Sequence, residues 1–326
     1  MLASVPLLRK PSLLAAALLL TISLPAGPLF GQNSPALHLL ATSSRPANVP
    51  EGYVVTPFGY FHPSCVQTLA EGETLLADGR VRHTDGTAAE KAPVCSYPRY
   101  ARDGSPATAN PALKTKVSPE VDGWVENANV ATSEAYSALF ADWTVPPSPA
   151  SDDGQVLFYF PGLEDINDPN TSILQPVLQW AGGQWAVANW NCCLSNIVTE
   201  SPLINVSPGD LILGTITGNC RRGTLSCPTW TIFSFDLSNG ESTTLNHTPS
   251  EGQIFNWAFG GVMEPYYVVQ CSDYPPNHHL SFDVTIFNKN LKPVVRPKWG
   301  SGFDDTVTPQ CNYGVKTAPY DVKVYY

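Results

Sequence analysis

The sequence predicts an all-β protein, a two-sheet antiparallel β-sandwich or jelly roll with an N-terminal appendage. Short stretches rich in β-branched and aromatic residues recur from residue 138 to residue 288, and clusters of Gly, Pro, Asn and Asp separate them. No stretch shows the apolar stripe of a three-turn helix. The stretches are ALFADWTVP, QVLFYFPG, ILQPVLQWA, QWAVANW, DLILGTITG, TWTIFSFDL, QIFNWAFGGVME and HLSFDVTIFN.

The first 32 residues have the composition of a targeting segment. Arg9 and Lys10 precede an apolar run over 13–24, and small residues with Pro follow over 26–31. Basic, then apolar, then small is the order of a secretory signal peptide, and the run is short for a membrane span. We therefore expect a secreted protein, extracellular or periplasmic, and no later stretch predicts a membrane span.

Residues 33–116 form a polar, turn-rich segment that differs in charge from the rest of the chain. It carries seven acidic and eight basic residues, whereas 117–326 carries 21 acidic and eight basic residues. The Pro-, Ala-, Ser- and Thr-rich stretch 103–116 predicts a linker. Two interpretations stay open for 33–116: a small disulfide-closed cap, or a pro-segment whose cations neutralise an acidic cleft until it is cleaved off.

The domain 117–326 is predicted to be the β-sandwich that carries the function. Its excess of 13 negative charges argues against nucleic acid as a partner. Only 14% of all residues are charged, which suits an exported protein that works at low pH.

Eight cysteines behind a predicted signal peptide indicate disulfides rather than thiols or a metal site. Eight cysteines allow about 105 pairings. We predict three bridges that are each local to one segment, and a strained vicinal bridge between Cys192 and Cys193 stays open. The three predicted pairs are Cys65 with Cys95, Cys220 with Cys227, and Cys271 with Cys311.

The predicted strand ILQPVLQWA, residues 173–181, has an unusual pattern. Gln175, Val177 and Gln179 point to one side of such a strand, and Leu178 and Trp180 point to the other. Two amides on one face of a strand that is otherwise apolar indicate a face that lines a groove.

Several kinds of chemistry have no motif in this chain. It lacks the G-x-S-x-G and H-E-x-x-H motifs, a Gly-rich phosphate loop and a dinucleotide fingerprint. C-x-x-C spacing is also missing, so we expect no metal and no cofactor. Carboxylates, amides and aromatic side chains are what the predicted sandwich offers for chemistry.

Five motifs resemble, in their order and spacing, the secreted glutamic peptidases called eqolisins. They are ADWTVPPSP (141–149), LFYFPGLED (157–165), SILQPVLQW (172–180), SPGDLILGTI (207–216) and NWAFGGVMEPY (256–266). The resemblance covers about half of the chain. It implies a concanavalin-like sandwich of two curved sheets and an N-terminal pro-segment.

The resemblance also implies a catalytic pair of one Gln and one Glu. These positions fall on Gln175, in the Ile-Leu-Gln strand, and on Glu264, which closes an aromatic strand. A carboxylate can take a proton from water as it attacks a peptide carbonyl and return it to the leaving amine. A Gln amide can donate a hydrogen bond to the developing oxyanion. The function so implied is a secreted, acid-acting endopeptidase with a polypeptide substrate.

Substrate contacts are expected at four further positions. Phe160 stands where the family has Trp, and Glu164 stands where it has Asp. Trp185 and Trp190 loosely match an aromatic pair of the next strand, and Asn191 replaces a Tyr that follows there. Without the resemblance, tryptophans at such positions are more often core residues than binding residues.

Two other classes of function remain open from the sequence. One is a non-catalytic, lectin-like carbohydrate binder that presents aromatic side chains to a glycan. The other is a glycoside hydrolase with Glu164 and Glu264 as its two carboxylates. A glycoside hydrolase of this kind gives Gln175 no necessary role.

Overall fold

The computed structural model describes residues 45–107, 123–167 and 173–326. They all fall in one compact unit, residues 35–326. The predicted signal peptide and most of the predicted linker lie outside the described residues. No helix in the described ranges is both long enough and apolar enough to cross a bilayer.

The N-terminal segment, used here for residues 45–107, contains five short strands and one turn of 3₁₀ helix at Pro63–Cys65. The strands are β1 (Val54–Thr56), β2 (Gly59–Phe61), β3 (Val66–Thr68), β4 (Thr74–Leu75) and β5 (Val81–Arg82).

The body begins at Gly123 and contains fifteen strands and two 3₁₀ turns, Leu194–Asn196 and Cys271–Asp273. Its first strands are β6 (Glu126–Ala131), β7 (Tyr136–Thr144), β8 (Val156–Glu164), β9 (Ile173–Ala181), β10 (Gln184–Cys192), β11 (Val198–Glu200) and β12 (Ile204–Val206). They are followed by β13 (Leu211–Gly218), β14 (Thr229–Asp236), β15 (Ser242–Pro249), β16 (Trp257–Tyr266), β17 (His279–Asn288), β18 (Gly300–Phe303), β19 (Gly314–Thr317) and β20 (Asp321–Tyr325).

Two large sheets make up the sandwich. The front sheet has the order β18-β6-β16-β8-β9-β10-β11-β3, and β12 also pairs with β10. The back sheet has the order β15-β14-β13-β7-β17-β20-β19. Every described pairing in them is antiparallel except that of β3 with β11, which extends the front sheet with a strand of the N-terminal segment. The predicted all-β sandwich is confirmed.

Each of the eight predicted stretches contains a strand of the structure. The sequence did not predict the strands β1 to β5 of the N-terminal segment, nor β6, β11, β12, β15 and β18 to β20 of the body. These strands are short or mainly polar, as in STTLNHTP of β15, so their pattern alone does not distinguish them from loops.

The front sheet is buried on both faces. Its inner face packs on the back sheet, where Tyr159, Leu178 and Trp185 belong to one large apolar cluster. Its outer face carries a second cluster, in which Phe158 and Trp190 join Phe58 of the N-terminal segment. Strands covered on both faces lose the simple apolar-in, polar-out alternation, which accounts for the continuous burial of β8, β9 and β16.

The eight cysteines form four disulfides. The structure contains the three local pairs expected from the sequence, and it also joins Cys192 to Cys193. Cys65 and Cys95 bridge within the N-terminal segment, and the other three bridges lie within the body. No disulfide therefore connects the segment to the sandwich.

Candidate active site

The outer face of the front sheet carries both amides of β9. Val177 belongs to the outer cluster, whereas Leu178 belongs to the core between the sheets. Because side chains alternate along a strand, Gln175 and Gln179 lie on the outer face with Val177. Both glutamines are fully buried. The face that the sequence predicted to line a groove is thus the face that the N-terminal segment covers.

Glu264 reaches the same face because of a bulge in β16. Phe259 and Val262 both belong to the outer cluster. They are three residues apart, and strict alternation would place their side chains on opposite faces. The register of β16 with β8 shifts between these two residues, across Gly260 and Gly261. A β-bulge of this kind reverses which positions face outward. Strict alternation from Phe259 would have turned Glu264 toward the back sheet.

Register places Glu264 in one cross-strand row with Gln179. Glu264 pairs with Phe158 of β8, and Phe158 pairs with Gln179 of β9. Directly opposite residues have their side chains on the same face. Two strand spacings therefore separate the Cα atoms of Glu264 and Gln179, about 9.5 Å.

Gln175 lies in a different row. Trp190 of β10 pairs with Gln175 on one side and with Glu200 of β11 on the other. On β8, the register places Gly162 opposite Gln175. Gly162 in turn pairs with Phe259 of β16. The position of β16 that faces Gln175 is therefore a phenylalanine.

The predicted catalytic pair thus shares a face but not a row. Gln175 precedes Gln179 by four residues, about 13 Å along the strand. Their joint action stays a prediction. Neither amide has a hydrogen-bond partner among the described residues. A buried amide without a partner costs about 1–3 kcal/mol, so such groups often mark sites where something else binds.

The carboxylate of Glu264 is held by Tyr266, two residues further along β16. The Tyr266 hydroxyl donates to Oε1 of Glu264 at 2.5 Å. Burial, followed by the neighbouring Glu264 carboxylate, raises the pKa of Tyr266 well above its ordinary value. Tyr266 therefore remains a neutral donor across the physiological pH range. Tyr266 was not among the site residues predicted from the sequence, although its spacing of two from Glu264 places both side chains on one face of the strand.

Gly123 lies directly over the Glu264 carboxylate. A Cβ at this position would overlap Oε1 of Glu264, and the backbone has a φ of +149°. The next residue, Trp124, packs edge-on against Phe160 and Phe259. The first described residues of the body therefore close one side of the site, and a side chain at 123 would displace the carboxylate.

The N-terminal segment covers the rest of the outer face with the β1–β2 hairpin. Phe58, in the turn between β1 and β2, packs edge-on against Trp190 with ring centroids 6.2 Å apart. Tyr60 packs in the same way against Tyr266 at 5.5 Å. The hairpin therefore contacts the row of Gln175 at one end and the partner of Glu264 at the other.

Glu200 connects the segment to the outer face. The Thr68 hydroxyl of β3 donates to Oε2 of Glu200 at 3.0 Å. Burial raises the pKa of Glu200 to about 8, and the Thr68 hydrogen bond offsets only part of that rise. Glu200 also lines a small cavity with Thr56, Phe158 and Gln179. The cavity lies between the hairpin and the sheet, beside one of the two amides.

The residues predicted to contact substrate divide between the two faces. Phe160 and Trp190 belong to the outer cluster. Glu164 pairs with Ile173 of the outer cluster and is fully buried, so it lies on the outer face as well. Trp185 lies between the sheets, with its ring 5.2 Å from that of Trp180. Trp185 is thus a core residue on the face opposite to the amides.

Glu164 and Glu264 are far apart for a pair of glycosidase carboxylates. Glu264 pairs with Phe158, which precedes Glu164 by six residues on β8, about 20 Å along the strand. Glycosidases hold their two carboxyl groups about 5–9.5 Å apart. The geometry therefore does not favour the two-carboxylate hydrolase.

A larger cavity lies at another seam between the N-terminal segment and the body. Its volume is about 320 Å³, and its walls include Gln67 and Lys91 of the segment and Asn191 and Glu251 of the body. The two amides and Glu264 do not line it. The residues of the candidate chemistry are thus beneath the hairpin rather than in this larger cavity.

Comparisons with known proteins found similarity among solved structures. No family model and no curated protein matches the chain. Scytalido-glutamic peptidase, solved with a peptide-based transition-state analogue, is 15% identical, with 63% of this chain and 98% of that chain covered and a TM-score of 0.46.

Two further matches are of the same kind. SCP-B, a member of the eqolisin family solved with the tripeptide Ala-Ile-His, is 16% identical, with 63% of this chain and 98% of that chain covered and a TM-score of 0.44. Aspergilloglutamic peptidase from Aspergillus niger is 18% identical, with 52% of this chain and 98% of that chain covered and a TM-score of 0.37. At such values function has to be argued from the site itself.

Proposed function

We propose that this protein is the precursor of a secreted, acid-acting endopeptidase of the glutamic type, in which the N-terminal segment occupies the substrate groove. The observation that carries the proposal is the outer face itself. The Glu264 carboxylate, which accepts the Tyr266 hydroxyl, and two amides that have no hydrogen-bond partner among the described residues lie buried beneath the β1–β2 hairpin. A face that binds one extended chain is suited to binding a peptide substrate.

Glu264 is the general base in this proposal. Its carboxylate takes a proton from a water molecule as that water attacks the peptide carbonyl, and it returns the proton to the leaving amine. An amide of β9 donates to the oxygen of the carbonyl as negative charge develops there. Tyr266 holds the carboxylate in place. The resemblance to the glutamic peptidases assigns the amide role to Gln175.

The segment 33–116 is a pro-segment in this proposal rather than a permanent cap. It shares no disulfide with the body, so one cut in the stretch between 107 and 123 leaves it held only by non-covalent contacts. The segment carries eight basic residues, whereas the body carries 21 acidic residues and eight basic residues. Acid pH lowers the charge of the body's carboxylates and reduces repulsion of acidic substrates, so we expect proteolysis to be strongest at acid pH.

The test uses the full chain with a recognition site for a specific protease inserted between residues 108 and 116. After cutting, hydrolysis of a denatured protein is measured from pH 2 to pH 7, with and without a chelator. We expect acid-biased proteolysis that a chelator does not change. Glu264→Gln keeps the shape and removes the base, so it should abolish turnover, whereas Glu241→Gln, at an exposed position, should not.

Two results would overturn the proposal. One is wild-type proteolysis by the Glu264→Gln variant. The other is no proteolysis by the cut wild-type protein after the segment has been removed. Retention of that protein on a glycan array without hydrolysis would instead favour the carbohydrate binder.

A further inference from the structure

We propose that Gln179, rather than Gln175, is the amide that acts with Glu264. This inference rests on the proposed function and assigns a catalytic residue within the same site. The two glutamines lie on the same face of the same strand, both are fully buried, and neither has a hydrogen-bond partner in the part of the chain that the structure describes. They differ in their position relative to the Glu264 carboxylate.

Gln179 lies closer to Glu264 than Gln175 does. A peptide carbonyl must be reached from one side by the water that the base activates and from another side by the oxyanion donor. Phe158 of β8 pairs with Glu264 of β16 on one side and with Gln179 of β9 on the other side. A substrate strand that lies over β8 at Phe158 is then within reach of both side chains. Gln175 is about 13 Å further along β9.

The two amides also differ in whether they border a cavity. Gln175 lies level with Phe259 of β16 and Trp190 of β10, and it does not line the small cavity beneath the hairpin. Gln179 lines that cavity together with Phe158 and Trp190. Its amide therefore already borders the space that a displaced hairpin would open.

A rival carboxylate exists in the row of Gln175. Glu200 lies on the far side of Trp190, at the same spacing that separates Gln179 from Glu264. Its hydrogen-bond partner, the Thr68 hydroxyl, belongs to the N-terminal segment and leaves with it. Glu264 accepts the hydroxyl of Tyr266, which lies on the same strand and stays in the body. The row of Gln179 is thus the row whose carboxylate keeps its positioning partner after the segment is removed.

The β1–β2 hairpin covers both ends of the Gln179 row. Tyr60 covers Tyr266, which holds Glu264, and Thr56 borders the cavity of Gln179. Both strands of the hairpin therefore lie against the two ends of the Gln179 row. Displacing one element exposes the base and the amide together.

Methionine variants test the assignment, because methionine has a similar size, donates no hydrogen bond and is tolerated in buried positions. Steady-state kinetics at acid pH are compared for the cut full chain and its Gln179→Met, Gln175→Met, Glu200→Gln and Glu264→Gln variants. We expect Gln179→Met to lower kcat by about 10² to 10³ with KM nearly unchanged, as does loss of one oxyanion donor. Gln175→Met should mainly raise KM.

A binding comparison adds a readout that a structural role would not change. A peptide with a tetrahedral, transition-state-like centre should lose about as much affinity for Gln179→Met as kcat loses, while a plain peptide of the same sequence should lose little. Thermal unfolding of each variant shows whether it is folded. Gln179→Leu, which also removes the donor without adding a charge, serves as a second substitution if the methionine variant does not fold.

The outcomes separate the inference from the function on which it rests. If Gln175→Met shows the large loss of kcat and Gln179→Met does not, the inference is wrong and the peptidase assignment stands. If Glu200→Gln abolishes turnover and Glu264→Gln does not, the base has been assigned to the wrong row. If none of the variants changes proteolysis, the proposed function fails as well.

Discussion

The hydroxyl of Tyr266 donates a hydrogen bond to Oε1 of Glu264 at 2.5 Å, and both side chains are buried beneath Tyr60 and Gly123. The two residues are separated by one position on β16, so the strand itself fixes their spacing. A carboxylate with a neutral, fixed donor is oriented and favoured in its ionised form. Tyr266 is therefore a positioning residue for the proposed base.

Replacement of Tyr266 by phenylalanine should shift the pH profile of proteolysis. The variant keeps the ring against Tyr60 and removes only the donor. A hydrogen bond to a charged group contributes about 1.5–3 kcal/mol, which corresponds to about one to two pH units. The acid limb of kcat against pH should move to higher pH by about that amount. A lower kcat at every pH, with the acid limb at an unchanged pH, would show that Tyr266 has only a structural role.

Stability should fall as pH rises, because two glutamates are buried with raised pKa values. Burial raises the pKa of both Glu126 and Glu200 from 4.5 to about 8. Between these values the folded protein retains protons that the unfolded chain releases. The stabilisation is therefore fully present below about pH 4.5 and is lost as pH rises toward 8. Each group contributes on the order of a few kcal/mol.

Urea unfolding at pH 4.5, 6 and 8 measures this dependence. Glu200→Gln retains an acceptor for the Thr68 hydroxyl and removes the titration, so the dependence should become shallower by about half. Glu126→Gln is the matched variant in the body, where the carboxylate accepts the backbone N–H of Tyr325 at 3.0 Å. An unchanged slope in both variants would contradict the assignment of these two groups.

Phe58 should determine how tightly the cut N-terminal segment stays bound. Its ring packs against Trp190 in the outer cluster, and Phe→Ala in a core costs about 3–5 kcal/mol. After the linker is cut, Phe58→Ala should weaken binding of the segment at least 100-fold, measured by dissociation of a labelled segment. Val94→Ala, at a position that is 67% exposed, is the control in the same segment. Equal dissociation rates for the two variants would show that the hairpin does not hold the segment.

The disulfides of the body should differ in their contribution to stability. Cys271 and Cys311 are 40 residues apart in sequence, and Cys220 and Cys227 are seven apart. In the chain-entropy model the longer loop contributes about 4 kcal/mol and the shorter about 2.5 kcal/mol. Replacing both cysteines of one bridge with serine should lower the free energy of unfolding in that order. The reverse order would show that strain or unfolded-state structure outweighs loop length.

Much of the sandwich could be predicted because its strands are local patterns. The stretch 173–181 forms β9 with the predicted residues on each face, and HLSFDVTIFN is strand β17 in full. A strand's alternation depends only on neighbouring residues, so it can be read from a short window. The three disulfides that join nearby cysteines follow from sequence distance in the same way.

Which residues share a row was decided by the tertiary structure alone. Register depends on pairing between strands that are distant in sequence, and a single bulge changes it. The shift across Gly260 and Gly261 turned Glu264 to the outer face and placed it level with Gln179. The sequence by itself predicted eight strands of the body, the amide-bearing face of β9 and three local disulfides. Only the folded sheets decided which amide shares a row with Glu264, because that depends on long-range strand pairing.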